Sequence, residues 1–362
     1  MDAPVVVDAM GGDKAPDVII DGAVQACSAG HGPVILIGEE KSLKRSLERH
    51  GTDLNNIDII YTPEWITMND PPVRAARGKR ESSMHRAFEM VKSGEACAAL
   101  SAGNSGAFYS VGVMTLRRMK GCDRPAIATS LPTQGRPTVL LDIGAHPEAR
   151  ATHLVQYALM GAAYASVFHK VDHPEVALLS NGTESIKGTE PLREAHRLLV
   201  QSELNYQGFM ESRSLPFGCV DVAVTDGFLG NVVLKLCEGV VQSLFQRIKH
   251  AVEDDWMARA TAPVLRRALR PLAKELDWEQ VGAAPLLGLN GLAMVAHGSS
   301  TANSIAHAIA HARACAESRL LDAVREKLEK DSPEPVTSTS ELPLPSTSAE
   351  YQRETDTSTT DR

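Results

Sequence analysis

Short apolar runs that each end in a small, polar, glycine-bearing turn set the strongest limit on how this chain can fold. The first run, Val5–Val7, is followed by Asp8, Gly11 and Gly12, and then by an apolar stretch with helical character. Continuous apolar runs of this length are typical of strands buried on both faces, and helices between them provide parallel crossovers. The sequence therefore predicts an α/β fold with a mostly parallel sheet covered by helices on both faces.

The predicted strands and helices alternate along most of the chain. We expect strands at 5–8, 34–37, 57–61, 97–101, 126–131, 138–143, 176–180, 219–225 and 292–296. We expect helices at 17–24, 39–50, 83–93, 105–118, 149–168, 189–202, 230–252 and 300–330. Asp17 is a candidate N-cap. The segment 63–80, which contains Pro71, Pro72 and a run of basic residues, is expected to be irregular.

Composition divides the chain into a folded body and a tail. Residues 332–362 are rich in Ser, Thr and Pro and carry six acidic and two basic residues, with few apolar groups to offset chain entropy. We predict a single α/β domain at 1–331, with a helical protrusion at about 235–280, and a disordered acidic tail. The stretches 96–116 and 280–312 lack charged residues, but their polar glycine turns favour strand–turn–helix units over membrane spans.

Charge and residue usage exclude several classes of protein. The net charge is −8 and aromatic residues make up only 4%, so neither a basic nucleic-acid surface nor a stacking platform is expected. The six cysteines never form a CxxC pair, which is typical of a reducing cytosol and not of a disulfide framework or zinc site. Because no export signal is recognisable, we expect a cytoplasmic protein.

Six polar turns carry the candidate site. Ligands of parallel α/β sheets bind beyond the carboxyl ends of the strands, and glycine-bearing turns before helix N-termini favour anions such as phosphate. A purely structural role for each turn stays open, since such loops need glycines and caps in any case. The turns at 142–146 and 180–184 belong to this set. The candidate binding residues in the other turns are Asp8, Gly11, Gly12, Asp13, Gly103, Asn104, Ser105, Gly106, Gly227, Gly230 and His297.

Two further side chains are candidates for chemistry. Lys187 follows a predicted strand and precedes a helix, where a lysine can hold a phosphate or an oxyanion, although a surface lysine is the alternative. Asn231 follows Gly230 at a predicted helix start and is either a ligand-contacting amide or an N-cap. Ser105 as a nucleophile lacks a recognisable base. No GxxxxGK[ST], GxSxG or HExxH motif occurs, and we expect no cofactor and no metal.

The turns occur in an order and spacing that resemble the bacterial phosphate acyltransferase (PlsX) family. The similarity runs from about 5 to 314 and includes the segments 7–13, 101–107, 186–188, 224–232, 282–291 and 296–300. The chain departs from the family pattern at Lys14, Ser105, His146 and 180–183. The resemblance implies a three-layer α/β/α, Rossmann-like fold similar to that of phosphotransacetylases and isocitrate-type dehydrogenases.

The resemblance also implies a reaction and its partners. A fatty acyl group would pass from acyl-[acyl carrier protein] to inorganic phosphate, giving acyl phosphate for phospholipid synthesis. Phosphate is anionic and can attack a thioester directly, with Lys187 and Asn231 as catalytic residues and no acyl-enzyme. A homodimer and a membrane glycerol-3-phosphate acyltransferase that uses the product are further implied. The alternatives are an acyl-CoA:phosphate transferase, a non-catalytic carrier-protein or membrane scaffold, and a metal-dependent dehydrogenase.

A basic amphipathic segment predicts contact with a membrane. Residues 257–274 include five basic and no acidic residues, and Pro263 and Pro271 are expected to divide the segment into short helices. Basic and apolar faces of this kind favour reversible docking on anionic lipid at the inner face of the cell membrane. A helix hairpin packed within a dimer is the alternative. The membrane-docking candidates are Arg266, Leu269 and Arg270.

Overall fold

The computed structural model describes residues 3–48, 56–254, 256–276 and 280–331. The predicted tail at 332–362 and the end of the predicted helix 39–50 lie outside these residues. The strands are β1 (Val5–Asp8), β2 (Val34–Gly38), β3 (Ile57–Tyr61), β4 (Ala98–Ser101), β5 (Ala126–Leu131), β6 (Thr138–Leu141), β7 (Glu175–Ser180), β8 (Asn205–Glu211), β9 (Val222–Val224), β10 (Ala283–Leu287) and β11 (Leu292–Ala296).

Helices connect most of these strands. They are α1 (Asp17–Ser28), α2 (Glu40–Leu47), α3 (Pro72–Gly78), α4 (Ser83–Ser93), α5 (Ser105–Thr115), α6 (Ala151–Phe168), α7 (Glu190–Val200), α8 (Gly227–Asp254), α9 (Trp256–Glu275), α10 (Ala302–Glu317) and α11 (Leu320–Asp331). The two uncharged stretches form strand–turn–helix units, as predicted, through β4 with α5 and through β10 and β11 with α10.

The structure corrects several local predictions. The segment expected to be irregular contains α3, which begins at Pro72, where a missing N–H costs no helical hydrogen bond. The predicted final helix is two helices, because Arg319 between them adopts a left-handed backbone with φ +58°. Asp17 lies in the first turn of α1, while Pro16 occupies the N-cap position. Strands β8 and β10 were not predicted, since β8 is largely polar and β10 contains Pro285.

The eleven strands of the described residues form one sheet in the order β3-β2-β1-β4-β11-β10-β5-β6-β9-β7-β8. Strands β3, β2, β1, β4 and β11 are parallel to one another, and so are β6, β9, β7 and β8. The antiparallel pairs β11–β10, β10–β5 and β5–β6 join these two halves, which therefore run in opposite directions. The predicted mostly parallel α/β sheet is confirmed.

The register of the central strands brings the carboxyl ends of both halves together. Strand β10 pairs with β11 through Ala283–Pro285, and with β5 only through Leu286 and Leu287. Strand β5 pairs with β10 at its beginning and with β6 over Ala128–Leu131. Each linking strand thus pairs with its two neighbours over different parts of its length. The halves are offset along the strand direction, and their carboxyl ends overlap at the middle of the sheet instead of lying at opposite edges.

The core explains why the strands are apolar throughout. Within β1, Val5 and Val7 join the cluster under α1, α6 and α10, whereas Val6 joins the cluster under α4 and α5. Successive strand side chains point to opposite faces, so a strand covered on both faces has no position for a polar residue. A third cluster, around Leu140 and Ala223, packs against the start of α8. The three-layer arrangement inferred from the sequence is confirmed.

Helices α8 and α9 leave the core. The buried residues of α8 are Gly227, Gly230, Val233 and Leu234, so burial ends in its second turn. Helix α9 continues through Pro263 and Pro271, contrary to the predicted division into short helices. Both prolines are exposed, so the carbonyl that each leaves unpaired can bind water. Among the described helices, α8 is the one long and apolar enough by composition to cross a membrane, which is weak evidence for a span. The domain boundaries remain a prediction.

Replacing Arg313 of α10 should test how the amino-terminal strands are held. Arg313 is 8% exposed, and its guanidinium donates to the carbonyl oxygens of His31, Ala3 and Pro33. Arg313→Leu removes all three donations, and although the Pro33 carbonyl keeps its hydrogen bond from Val5 N, the fold is expected to be destabilised by about 3 kcal/mol. Urea unfolding followed by circular dichroism would measure this change. Arg319→Leu, at an exposed ion pair, is the control and should unfold like the wild type; equal midpoints for both variants would contradict the prediction.

Candidate active site

Asp8 organises the turn that follows β1. Its Oδ1 accepts hydrogen bonds from Ser83 Oγ at 2.6 Å and Met10 N at 3.2 Å, and its Oδ2 accepts one from Ser101 Oγ at 2.8 Å. The carboxyl is buried. Burial raises its pKa, while these hydrogen bonds oppose that shift. Asp8, predicted as a binding residue, therefore uses both carboxylate oxygens in hydrogen bonds that fix the conformation of the turn.

Glycines let the turns after β1 and β4 touch. A Cβ added at Gly11 would lie 2.7 Å from the backbone nitrogen of Gly103, and Gly12 has a left-handed φ of +117°. The nitrogen of Gly103 donates to Ser101 Oγ at 3.0 Å, which connects this contact to Asp8. Side chains at these positions would separate the two turns, so glycine is required there for close approach and backbone conformation.

The N-terminus of α5 presents unpaired N–H groups. Asn104 caps the helix, because its Oδ1 accepts from Ala107 N at 3.0 Å, and its amide donates to the carbonyls of Met68 and Asp70 at 3.1 and 3.0 Å. The N–H groups of Ser105 and Gly106 form no hydrogen bond with any residue that the structure describes. The side chain of Asn104 is thus used within the protein, and the exposed helix terminus is the part available to an anion.

In the second half of the sheet, Asp142 plays the role that Asp8 plays in the first. Its Oδ1 accepts from the backbone nitrogens of Ile127, Gly144 and Ala145 at 3.1, 3.1 and 2.9 Å, and its Oδ2 from that of His146 at 2.8 Å. Burial raises the pKa of Asp142, and the four hydrogen bonds oppose this shift. Three of these N–H groups belong to the 142–146 turn. In that turn, unlike at the N-terminus of α5, the N–H groups are therefore already hydrogen-bonded to the turn's own carboxylate.

The start of α8 packs directly on this turn. A Cβ at Gly230 would lie 1.9 Å from the carbonyl oxygen of Asp142, so only glycine fits. A Cβ at Gly227 would lie 2.5 Å from Asp142 Oδ2. Asp226 caps the helix by accepting from Leu229 N at 2.8 Å. Asn231 is consequently not the N-cap, and its exposed amide lies over Gly144.

His146 ties the two halves of the sheet together. Arg124 donates from Nη1 to His146 Nδ1 at 3.1 Å, and His146 Nε2 lies 2.6 Å from the hydroxyl of Tyr109 on α5. Burial, together with the charge of Arg124, lowers the pKa of His146 to about 4. The imidazole is therefore neutral at pH 7, and because Arg124 can only donate, Nε2 carries the proton and donates to Tyr109.

These elements surround a pocket of about 400 Å³ between the two sets of carboxyl ends. From the first half, Asp13, Gly103, Ser105 and His297 line it, and Asn231 lines it from the second. His297 is exposed, and its Nδ1 accepts a hydrogen bond from Ser299 N at 3.2 Å. Ile143 and Gly144, from the predicted 142–146 turn, and Gly298, beside His297, also line it. The pocket-lining residues outside the predicted turns are Met68, Ile127, Thr129, Leu234, Lys235, Glu238, Val281, Gly282, Ala283, Ala284, Val295 and Ala296.

The two lysines differ in where the structure places them. Lys187 lies in the exposed loop after β7 and does not line the pocket. Lys235, one helical turn beyond Asn231, does line it, and its Nζ lies 2.8 Å from Glu238 Oε2. The spacing of four residues from Asn231 was the available sequence signal for Lys235. Among the described residues, no three His, Cys, Asp or Glu side chains are grouped so as to hold a metal ion.

Comparison with known proteins identifies the family. The family model described as "Fatty acid synthesis protein" matches residues 3–322. The chain belongs to this family. It is 42% identical over 327 residues to "Phosphate acyltransferase" of Trichlorobacter lovleyi, covering 90% of this chain and 95% of the relative. It is 43% identical over 332 residues to the protein of that name in Syntrophotalea carbinolica, covering 91% and 95%. The resemblance seen in the turns is confirmed, and the chain is an acyltransferase.

Solved structures with similar folds support the architecture. A phosphotransacetylase from Streptococcus pyogenes has a TM-score of 0.59 at 17% identity, covering 87% of this chain and 94% of that one. A 4-hydroxythreonine-4-phosphate dehydrogenase from Klebsiella pneumoniae has a TM-score of 0.53 at 14% identity, covering 87% and 99%. At these identities the likeness concerns the fold alone, and it confirms the predicted similarity to phosphotransacetylases.

Paired substitutions should separate contact with substrate from helix capping. Asn231→Ala removes an exposed amide at the pocket and is expected to lower turnover by at least ~10²-fold with an unchanged unfolding midpoint. Asp226→Ala removes the cap of α8 and should cost about 1 kcal/mol of stability. Steady-state kinetics and thermal unfolding of both variants would measure these effects. Full activity of a folded Asn231→Ala variant would remove this amide from the mechanism.

Proposed function

We propose that the pocket transfers a fatty acyl group from acyl-[acyl carrier protein] to inorganic phosphate, giving acyl phosphate for phospholipid synthesis. The observation that carries the proposal concerns the N–H groups of Ser105 and Gly106, at the N-terminus of a helix bordering the pocket, which have no hydrogen-bond partner in the part of the chain that the structure describes. Such a terminus stabilises a bound phosphate through its N–H groups and its dipole. Relatives named phosphate acyltransferase support the same acceptor.

In the proposed reaction, phosphate itself is the nucleophile. One of its oxygens attacks the thioester carbonyl, a tetrahedral oxyanion forms, and its collapse expels the thiolate and leaves the acyl group on phosphate. The exposed amide of Asn231 is placed to donate to the oxyanion from the opposite side of the pocket. The leaving thiolate has a pKa near ~8.5 by analogy with cysteine, so strong acid catalysis is not needed. The enzyme acts by holding and aligning the two reactants, without an acyl-enzyme or a cofactor.

Lys187 and Lys235 are the two candidate sources of positive charge. Lys235 already lines the pocket but is paired with Glu238. Lys187 is exposed and forms no ion pair with any described residue, and its loop follows a strand of the half that also carries Asn231. We propose that Lys187 reaches the phosphate or the oxyanion from this loop when substrates are bound.

The experiment that tests the function is hydroxylamine trapping of acyl phosphate from long-chain acyl carrier protein and phosphate. We expect product with the wild type and a loss of at least ~10²-fold in turnover for Lys187→Ala, the size of effect of one oxyanion-stabilising group. Lys170→Ala, on another loop, is the matched control and should stay active. Absence of acyl phosphate from every thioester would contradict the proposed function. Faster reaction with acyl-CoA than with acyl carrier protein would favour the alternative donor.

Helices α8 and α9 support two further proposals. The exposed apolar residues of α8 recur every four positions and suit the interface of a homodimer; they are Phe228, Val232, Leu236, Val240 and Leu244. On α9, Arg266 and Arg270 are exposed, and Leu269 is half-buried. We propose that this helix docks reversibly on anionic lipid of the cytoplasmic membrane face, near the membrane glycerol-3-phosphate acyltransferase that would use acyl phosphate.

Sedimentation with anionic liposomes should test membrane docking. Binding is expected to weaken with salt and to fall with Leu269→Glu, because a charge opposes insertion of the apolar face. Val264, which is 73% exposed, provides a second variant, Val264→Glu, that disturbs no packing within the chain. A charge change in the 332–362 segment is the control. If both folded variants sediment like the wild type, membrane docking through α9 is wrong, while the acyltransferase activity is unaffected by that result.

A further inference from the structure

The short helix α3 presents a basic face to solvent. Ala75 and Ala76 are buried, whereas Val73, Arg74 and Arg77 are exposed. Arg80, just beyond the helix, is also exposed. Residues 71–80 include four basic residues and no acidic one, although the chain as a whole has a net charge of −8. The nearest acidic residues in sequence are Asp70 and Glu81.

Within the described residues none of these arginines is paired with a carboxylate, and Arg80 Nε donates to the carbonyl oxygen of Arg77 at 3.3 Å. The side chains of Arg74 and Arg77 form no hydrogen bond or ion pair with any residue that the structure describes. The neighbouring Lys79 differs, because its Nζ lies 2.6 Å from Asp70 Oδ2 and donates to the carbonyl of Trp65 at 3.0 Å. Lys79 thus neutralises Asp70 and is bonded to the loop that precedes α3, whereas the arginines are exposed to solvent.

Helix α3 is held at the mouth of the pocket. Asn104 donates to the carbonyls of Met68 and Asp70, immediately before the helix. The ring of Pro72 lies 3.0 Å from where a Cβ would stand at Gly106, beside the N–H groups assigned to phosphate. Met68 itself lines the pocket. The basic face therefore adjoins the proposed phosphate site.

We propose that Arg74, Arg77 and Arg80, with the exposed Val73 among them, dock the acidic protein that delivers the acyl thioester. The inference rests on the proposed function and adds the surface on which the donor binds. Charge complementarity at such a surface steers association and orients the partner without taking part in the chemistry. The basic residues Arg266 and Arg270 of α9 are the competing surface. Neither set of arginines lines the pocket itself, but α3 adjoins the N-terminus of α5 through the contact of Pro72 with Gly106.

Comparing two donors of the same acyl group tests the surface. The donors are the acyl carrier protein thioester and the corresponding acyl-pantetheine thioester, which has no protein part. Arg74→Glu/Arg77→Glu should raise KM for the carrier-protein donor by at least ~10-fold, leave kcat within about twofold, and leave the pantetheine reaction unchanged. The effect should shrink as salt is added. Arg197→Glu, at an exposed arginine of α7 outside the pocket, is the matched control and should resemble the wild type.

Each other outcome overturns the docking surface. An unchanged KM for the carrier-protein donor would show that the partner binds elsewhere, as would an increase caused only by Arg270→Glu. Equal losses with both donors would place the arginines in the reaction itself. If the wild type makes no acyl phosphate from either donor, the proposed function fails, and binding of fluorescently labelled acyl carrier protein then decides the surface separately. Binding lost in the double variant supports it, and equal binding contradicts it.

Discussion

The buried carboxylate of Asp142 is the interaction on which the centre of this molecule depends. It accepts hydrogen bonds from four backbone N–H groups, one in β5 and three in the turn after β6. Gly230 of α8 packs against the backbone carbonyl of Asp142. A buried carboxylate is costly unless such donors surround it, so the turn has one stable conformation. Asp8 does the same in the other half with two serine hydroxyls and one N–H group. These two hydrogen-bond networks fix the turns that border the pocket between the two halves of the sheet.

This arrangement separates the residues that shape the site from those free to bind. In the turn at 142–146, three N–H groups donate to Asp142. The cap from Asn104, in contrast, occupies only the third N–H group of α5, and those of Ser105 and Gly106 have no partner among the described residues. The proposed phosphate site therefore lies on the α5 side of the pocket. Asn231, on α8, lines the same pocket. Acyl transfer between two bound substrates suits such a divided pocket.

The order of elements and the nature of the sheet could be predicted from sequence because they depend on local patterns. Apolar runs such as Val5–Val7 and Val34–Ile37 mark strands, and their lack of polar alternation already implies burial on both faces. Strand β8 was missed because it is largely polar, and β10 because Pro285 resembled a turn signal. The predicted division of α9 at its two prolines was wrong. The cost of an internal proline depends on whether the carbonyl that it leaves unpaired can bind water, and the sequence alone does not show this.

By itself, the sequence determined the alternating strands and helices, the set of glycine-bearing turns and the family to which the chain belongs. Tertiary structure alone decided which turns share a pocket, because that follows from the offset register of β10 and β5 between distant segments. It also decided that Asn231 is not a cap, and that Lys235 lines the pocket where Lys187 does not. Whether a polar group is free to bind a substrate depends on the hydrogen bonds that it already makes within the protein. Those hydrogen bonds join residues far apart in sequence, such as Asp8, Ser83 and Ser101, which meet only in the folded chain.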